Sequence, residues 1–226
     1  MLKVEQISKT YRTNEVETRA LQDISFEIRK GEFVAIMGPS GCGKSTLLNV
    51  LGLLDNPDAG AYWLDGKNLA GLSESQLTDM RRRSLGFIFQ NFNLIDDLTV
   101  EANVEVGLLY RGVGAAQRRK LVKDALEKVG LSHRARHLPK QLSGGQQQRV
   151  AVTRALVSAP QLVLADEPTG NLDTANGEAI MSLLGELVNA GTTVIMVTHS
   201  KVHAAAANRT LNMLDGRLVS DTLLAA

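Results

Sequence analysis

Three short runs of the chain are almost uninterruptedly apolar: Phe33–Met37, Leu162–Ala165 and Thr193–Val197. Continuous hydrophobicity, rather than alternation, predicts strands covered on both faces, as in a parallel sheet packed between helices. Each run stops at a cluster of polar or glycine residues, and ligands in open α/β sheets bind outside the carboxyl ends of the strands. Three such ends predict one site along one sheet edge. Leu2–Ile7, Ala20–Ile28 and Ala61–Leu64 alternate instead, with turn signals at Arg29-Lys30-Gly31 and Asn56-Pro57-Asp58-Ala59-Gly60. They predict a smaller, mostly antiparallel sheet beside the parallel one. From about Leu98 to Leu156 the spacing turns helical, and within Gln117–Val129 the residues Leu121, Val122, Ala125, Leu126 and Val129 share one face. The class is α/β, read as a single domain over 1–226 with a helical subdomain at about 91–158 inserted in its core.

Composition narrows the picture. A hydrophobic content of 44% with 22% charged residues is ordinary for a chain with a proper core. Aromatics are only 4%, so that core is aliphatic. The formal net charge of +1 argues against nucleic acid as the main ligand, because phosphate-backbone binders carry a basic surplus. The single cysteine, Cys42, cannot form an internal disulfide, which favours a reducing compartment. The start, Met1-Leu2-Lys3-Val4-Glu5-Gln6, does not resemble a signal peptide, and no stretch is long and apolar enough to span a bilayer. The expectation is a cytoplasmic chain with no transmembrane segment of its own.

After the first buried run comes Gly38-Pro39-Ser40-Gly41-Cys42-Gly43-Lys44-Ser45-Thr46, which fits G-x-x-x-x-G-K-[ST]. Glycines let backbone N–H groups close around phosphates. Lys44 brings a positive charge to the outer phosphates, and the Ser45 hydroxyl suits Mg²⁺. Ser45–Leu54 reads as a helix whose N-terminus faces the same anion. Cys42 reads as a small residue presenting backbone, not as a nucleophile. The second buried run ends in Asp166-Glu167. Adjacent carboxylates at the mouth of an apolar strand need cationic compensation, which Mg²⁺ and ATP supply to Asp166. Glu167 points to the other side of the strand and is placed to deprotonate a water.

Leu142-Ser143-Gly144-Gly145-Gln146, followed by Gln147-Gln148-Arg149, names the family. It resembles the signature of ABC ATPases, and as physics it is a second anion nest ahead of a helix N-terminus. The resemblance covers essentially the whole chain. It implies a P-loop NTPase of ABC type: a mostly parallel RecA-like core sheet, an N-terminal antiparallel β subdomain and an inserted α-helical subdomain. It implies ATP and Mg²⁺ as cofactors and Ser143, Gly145 and Gln146 acting on the nucleotide of a second copy. The pair is then a homodimer in the ATP-bound state. Tyr11 resembles the aromatic that stacks on adenine, with an ordinary tyrosine as the rival reading. Gln90 matches the residue that touches Mg²⁺ and the attacking water. Asp173, in Gly170-Asn171-Leu172-Asp173, matches the loop crossing the dimer seam, and His199 matches the histidine that contacts the γ-phosphate. His133, His137 and His203 have no motif around them and are expected at the surface.

Within the class, Phe89–Leu94, Leu108–Val113, Leu164–Asp173 and the loop Arg12–Thr18 are similar to the lipoprotein-release and macrolide-export (LolD/MacB-like) subgroup. That similarity implies an integral membrane permease as partner, attachment to the inner membrane through it, and export or mechanical work on periplasmic or lipophilic cargo. Glu101-Ala102-Asn103 and Gly107 depart from the subgroup's pattern in the region expected to face that partner. Phe92, Leu94 and Ile95 could form a docking groove or pack locally. Two other readings stay open: an ABC ATPase acting on nucleic acid or ribosomes, and a non-hydrolysing subunit. Neither suits a chain with no sustained heptads and with Lys44, Asp166, Glu167 and His199 all present.

Overall fold

The structure, a computed structural model, describes residues 1–13, 16–69 and 71–223. Asn14 and Glu15, in the Arg12–Thr18 loop, lie outside the described residues.

The alternating N-terminal segments form β1 (Leu2–Arg12), β2 (Glu17–Ile28) and β4 (Ala59–Leu64), joined by the two-residue β5 (Lys67–Asn68) in an antiparallel sheet of order β2-β1-β4-β5. Leu2 pairs with Ile28 on one side and Leu64 on the other, so one face collects the apolar set. Register shifts follow Val4, where Gln6 takes φ +51°. The strand bends there, as bulges require.

The larger sheet has the order β10-β9-β3-β8-β7-β6, using β3 (Phe33–Met37), β6 (Leu85–Phe89), β7 (Leu162–Asp166), β8 (Thr193–Val197), β9 (Arg209–Leu214) and β10 (Arg217–Leu223). Every pairing from β9 to β6 is parallel, and β10 closes the edge antiparallel. The period of two splits each buried run between two cores. Val34, Ile36, Leu164, Ile195 and Val197 pack with the N-terminal sheet and with α1 (Lys44–Leu51). Phe33, Ala35, Val163, Ala165, Val194 and Met196 pack with α5 (Gly144–Leu156) and α6 (Thr174–Asn189).

A third cluster joins Val100, Val104 and Leu108 of α3 (Val100–Leu109) to Val122 and Leu126 of α4 (Ala115–Lys128) and Val150 of α5. Leu121 and Val129 pack at its margin, as the spacing predicts. Gly107 lets α3 approach α5 closely, since a Cβ there would stand 2.6 Å from the Arg154 carbonyl oxygen.

Strands β6, β9 and β10 were not anticipated. In β9 Arg209, Thr210 and Asn212 interrupt the apolar pattern, because its residues near the sheet edge serve ion pairs and side-chain bonds: Arg209 pairs with Asp221 and Asn212 bonds Ser220. The helix expected over Ser45–Leu54 ends three residues early. Gly52 caps it, and Leu53 turns left-handed at φ +58°. Helices α2 (Glu74–Ser84) and α7 (Lys201–Ala204) and the 3-10 helices Ser132–Arg134 and Pro139–Gln141 are the remaining helical elements among the described residues.

Candidate active site

The loop leaving β3 is wedged between other backbone segments. A Cβ at Gly38 (φ +156°) would collide with the Met213 carbonyl, and one at Gly43 (φ +100°), which caps α1, with the Ala20 carbonyl. Only glycine fits at either point. Lys44 Nζ donates to the carbonyl oxygens of Gly38 (2.9 Å) and Pro39 (2.8 Å), draping its charge across the loop. Cys42 is buried, with its carbonyl accepting from Gly216 N–H at 3.0 Å, so it fills and braces the loop.

At the end of β7, Asp166 is hydrogen-bonded by Ser45. Burial pushes its carboxyl above the usual range and the charge of Glu167 adds to this, while Ser45 and Lys44 oppose it. Glu167 sits at φ +45°, with its amide donating to Val197 O at 3.0 Å. Its Oε1 lies 2.9 Å from His199 Nδ1. Gln90, just past β6, donates from Nε2 to Asn171 Oδ1 (3.3 Å), and Asn171 Nδ2 donates back to Gln90 O (3.0 Å). Gly170 leaves room for that side chain, since a Cβ would stand 2.8 Å from Gln90 Nε2.

One cleft of about 730 Å³ gathers Tyr11, Gly38, Ser40, Gly41, Gly43, Lys44, Ser45, Thr46, Gln90, Asp166, Glu167 and His199. Thr18, Arg19, Ala20 and Gln22 of β2 and Asp215-Gly216 of the β9–β10 turn also line it. Sequence reasoning missed these, and they carry no motif. The Tyr11 phenol donates to Asp55 Oδ2 at 2.8 Å and is hydrogen-bonded by Thr46, with Lys9 Nζ 5.4 Å from its ring centroid. Lys9 and Asp55 are bonded at 2.7 Å. Burial and the Asp55 bond raise the phenol above its ordinary value.

Ser143, Gly145, Gln146 and Asp173 do not line this cleft. Ser143 caps α5 in a reciprocal box with Gln146: Ser143 N–H donates to Gln146 Oε1 (3.0 Å), and Gln146 N–H to Ser143 Oγ (3.3 Å). Asp173 caps α6 and accepts from Asn176 N–H (2.9 Å) and Nδ2 (2.7 Å). Those two bonds hold the Asp173 carboxyl below its ordinary range. The same Asn176 side chain lies against Gly145, where a Cβ would collide with it. Asn176 therefore joins the signature turn to the seam loop. The only hint in the sequence is its place three residues after a capping aspartate.

Two surface expectations need correction. His133 is exposed, but His137 and His203 are half-buried. Arg134 lies 3.0 Å from His137, and Thr169 Oγ1 lies 2.8 Å from His203 Nδ1. The partner of His137 is local, at the end of the 3-10 helix Ser132–Arg134, whereas that of His203 lies in the turn after β7, which the fold brings close. Between the two readings of Phe92, Leu94 and Ile95, Leu94 packs on the helical cluster and Ile95 is exposed. A groove of about 400 Å³ lies nearby, lined by Phe87, Phe89, Gly107, Tyr110 and Arg154 among others.

The ABC transporter family model matches residues 21–170. The chain is 47% identical over 222 residues to the macrolide export ATP-binding/permease protein MacB of Brucella melitensis, covering 98% of this chain and 34% of that protein. It thus spans about a third of the length of such relatives. It is 45% identical to the ABC transporter ATP-binding protein YknY of Bacillus subtilis, covering 97% of this chain and 95% of that one. Among solved structures, the dimeric post-hydrolysis state of the ATP-binding cassette MJ0796 bound to ADP and Pi superposes with a TM-score of 0.93. The identity is 42% with full coverage of both chains. The chain belongs to the ABC transporter family, of which it is an ATP-binding and ATP-hydrolysing domain.

Proposed function

We propose that the chain is the motor of an export or mechanotransmitting transporter, working as a head-to-tail pair on a separate integral membrane permease. The observation that carries this reading is the division of the phosphate-binding groups. Lys44, Ser45, Asp166, Glu167 and His199 share one cleft, while the Ser143–Gly145 turn stands outside it. A helix N-terminus carrying a serine and two glycines suits an anion, and with its own cleft already furnished it suits the anion of a second copy. The dimeric MJ0796 cassette supports pairing of two copies.

In the pair, Tyr11 stacks on the base, and the 38–46 loop with Lys44 surrounds the phosphates. Glu167 takes the proton of the attacking water, His199 steadies the γ-phosphate and Gln90 orients the water. Ser143, Gly145 and Gln146 reach the phosphate held by the other copy, and Asp173 crosses the seam. Ser45, Gln90 and Asp166 offer a hydroxyl, an amide and a carboxylate, an all-oxygen set that fits Mg²⁺ together with phosphate oxygens and water. When bound, the ion would neutralise charge on the outer phosphates.

The helical subdomain spans about 91–158, and the groove lined by Phe87, Phe89 and Tyr110 takes the permease's cytoplasmic segment. No helix among the described residues is long and apolar enough to cross a membrane; attachment to the inner membrane is through the permease contact. Kinship with macrolide export proteins supports lipophilic or periplasmic cargo. The test is Glu167→Gln: with turnover stalled, ATP should convert the chain to dimers in size-exclusion light scattering, and Ser143→Arg should abolish them. Monomers of Glu167→Gln at saturating ATP would overturn the shared site.

A further inference from the structure

Gln148, on α5, is fully buried. Its Nε2 donates to the Pro168 carbonyl oxygen at 2.6 Å, while its Oε1 is buried with no partner among the described residues. A buried primary amide is costly unless its groups are paired. Here half of the amide's capacity is forfeited, so a core position chosen for stability alone would hold an apolar side chain. The single bond it does make lands on the residue directly after Glu167.

That turn is strained. Glu167 occupies the left-handed region at φ +45°, which a non-glycine residue adopts only under strain. Backbone bonds from Glu167 N–H to Val197 O and from Gly170 N–H to Glu167 O hold its two sides, each at 3.0 Å. Between them lies Pro168, which has no N–H, so its carbonyl is its only backbone hydrogen-bonding group. Gln148 occupies that group. Released from it, the peptide after Pro168 could rotate and relax the turn, carrying the Glu167 carboxylate off line.

We infer that Gln148 is a positioning residue for Glu167: through its bond to the Pro168 carbonyl it holds the strained turn that aims the carboxylate into the cleft. Gln148 itself does not line that cleft. The inference rests on the reading of Glu167 as the base that takes the water's proton.

Gln148→Met keeps the volume, removes the donor and also removes the orphaned oxygen. In the full chain it should lower kcat by about 10-fold or more, with KM and the equilibrium Kd for ATP held within about 2-fold, since only an interaction specific to the reacting state is lost. The melting temperature should not fall, and in a Glu167→Gln background Gln148→Met should leave ATP-dependent dimers intact. Gln148→Asn, one methylene too short to reach Pro168, serves as a second variant with the same expected kcat loss. Wild-type kcat in either variant would overturn the inference. So would a kcat loss accompanied by weaker ATP binding or lost dimers, which would place the role in the signature turn. Glu167→Gln assayed alongside separates the two readings: full turnover there sinks the base assignment itself. Stalled turnover there with normal Gln148 variants sinks only the positioning role.

Discussion

His199 and Glu167 meet across the ends of two neighbouring parallel strands, with Nδ1 2.9 Å from Oε1. The carboxylate side chain is only 15% exposed and the imidazole 72%. An ionised carboxylate is acceptor-only, so Nδ1 is the donor and Nε2 is the atom left for phosphate. One exposed ring thus fixes the orientation of a covered carboxylate and, on the proposed function, has its other nitrogen free for the substrate.

His199→Ala should therefore lower kcat by about 10²-fold, the ordinary scale for losing a positioned acid–base partner, while leaving ATP affinity nearly unchanged. His199→Asn, whose amide can still donate to Glu167, should recover part of that loss. Steady-state phosphate release and equilibrium nucleotide binding check both. An asparagine variant no better than alanine would remove the orienting role from Nδ1.

Asp166 is held in the folded chain against its preference. Its carboxyl is raised chiefly by burial, so the folded state binds its proton more tightly than the unfolded state does. The contribution to stability is favourable below the unfolded value, is lost as pH rises through the raised folded value, and is absent at neutral pH. Asp166→Asn removes the charge and keeps an acceptor for Ser45. At neutral pH without nucleotide it should raise Tm, while abolishing turnover. The gain should vanish in acid. Thermal melts of both chains across pH decide it.

What could be read from the sequence, and what could not, follows from where partners lie along the chain. That most of Gly38–Thr46 and Asp166-Glu167 would line one cleft was legible because each follows a buried strand at the same sheet edge. The three buried strands were legible because both of their faces are covered. Gln148, Asn176 and Asp55 were not legible as site-supporting residues, since each acts on a group that only the fold brings near: Pro168, Gly145 and Tyr11. His203 was misplaced for the same reason, its partner Thr169 being 34 positions upstream. β9 escaped notice because its polar residues serve edge contacts instead of solvent.

Asn103 shows that the departure at Glu101-Ala102-Asn103 keeps its structural element. Its fully buried amide accepts from Ile95 N–H (2.8 Å) and donates to the carbonyls of Ile95 (3.0 Å), Leu98 (3.0 Å) and Thr99 (3.2 Å). The loop between Gln90 and α3 is folded around it. Asn103→Ala strands these groups and should cost about 2–3 kcal/mol. Asn103→Asp should cost more near neutral pH, because it turns a buried charge toward three carbonyl oxygens. Urea unfolding measures both, and the reverse order would mean that the loop is held elsewhere.

Gly145 carries two demands at once, an anion nest on one side and the Asn176 amide on the other. The amide cannot swing aside freely, because Nδ2 is tied to Asp173 Oδ2 at 2.7 Å. A Cβ at Gly145 must therefore displace a side chain that is itself bonded, a clash of the size that costs about 1–3 kcal/mol in a packed site. If the packing demand is real, Gly145→Ala should be destabilised, and adding Asn176→Ala should restore much of the lost stability by opening the space. The same double variant should still fail to form ATP-dependent dimers in a Glu167→Gln background, since the added methyl still crowds the proposed nest, whereas Asn176→Ala alone should form them because its N–H still braces Asp173. Recovery of stability without recovery of dimerisation separates the two demands. Recovery of neither would mean that the collision with Asn176 is not what excludes a side chain from this position.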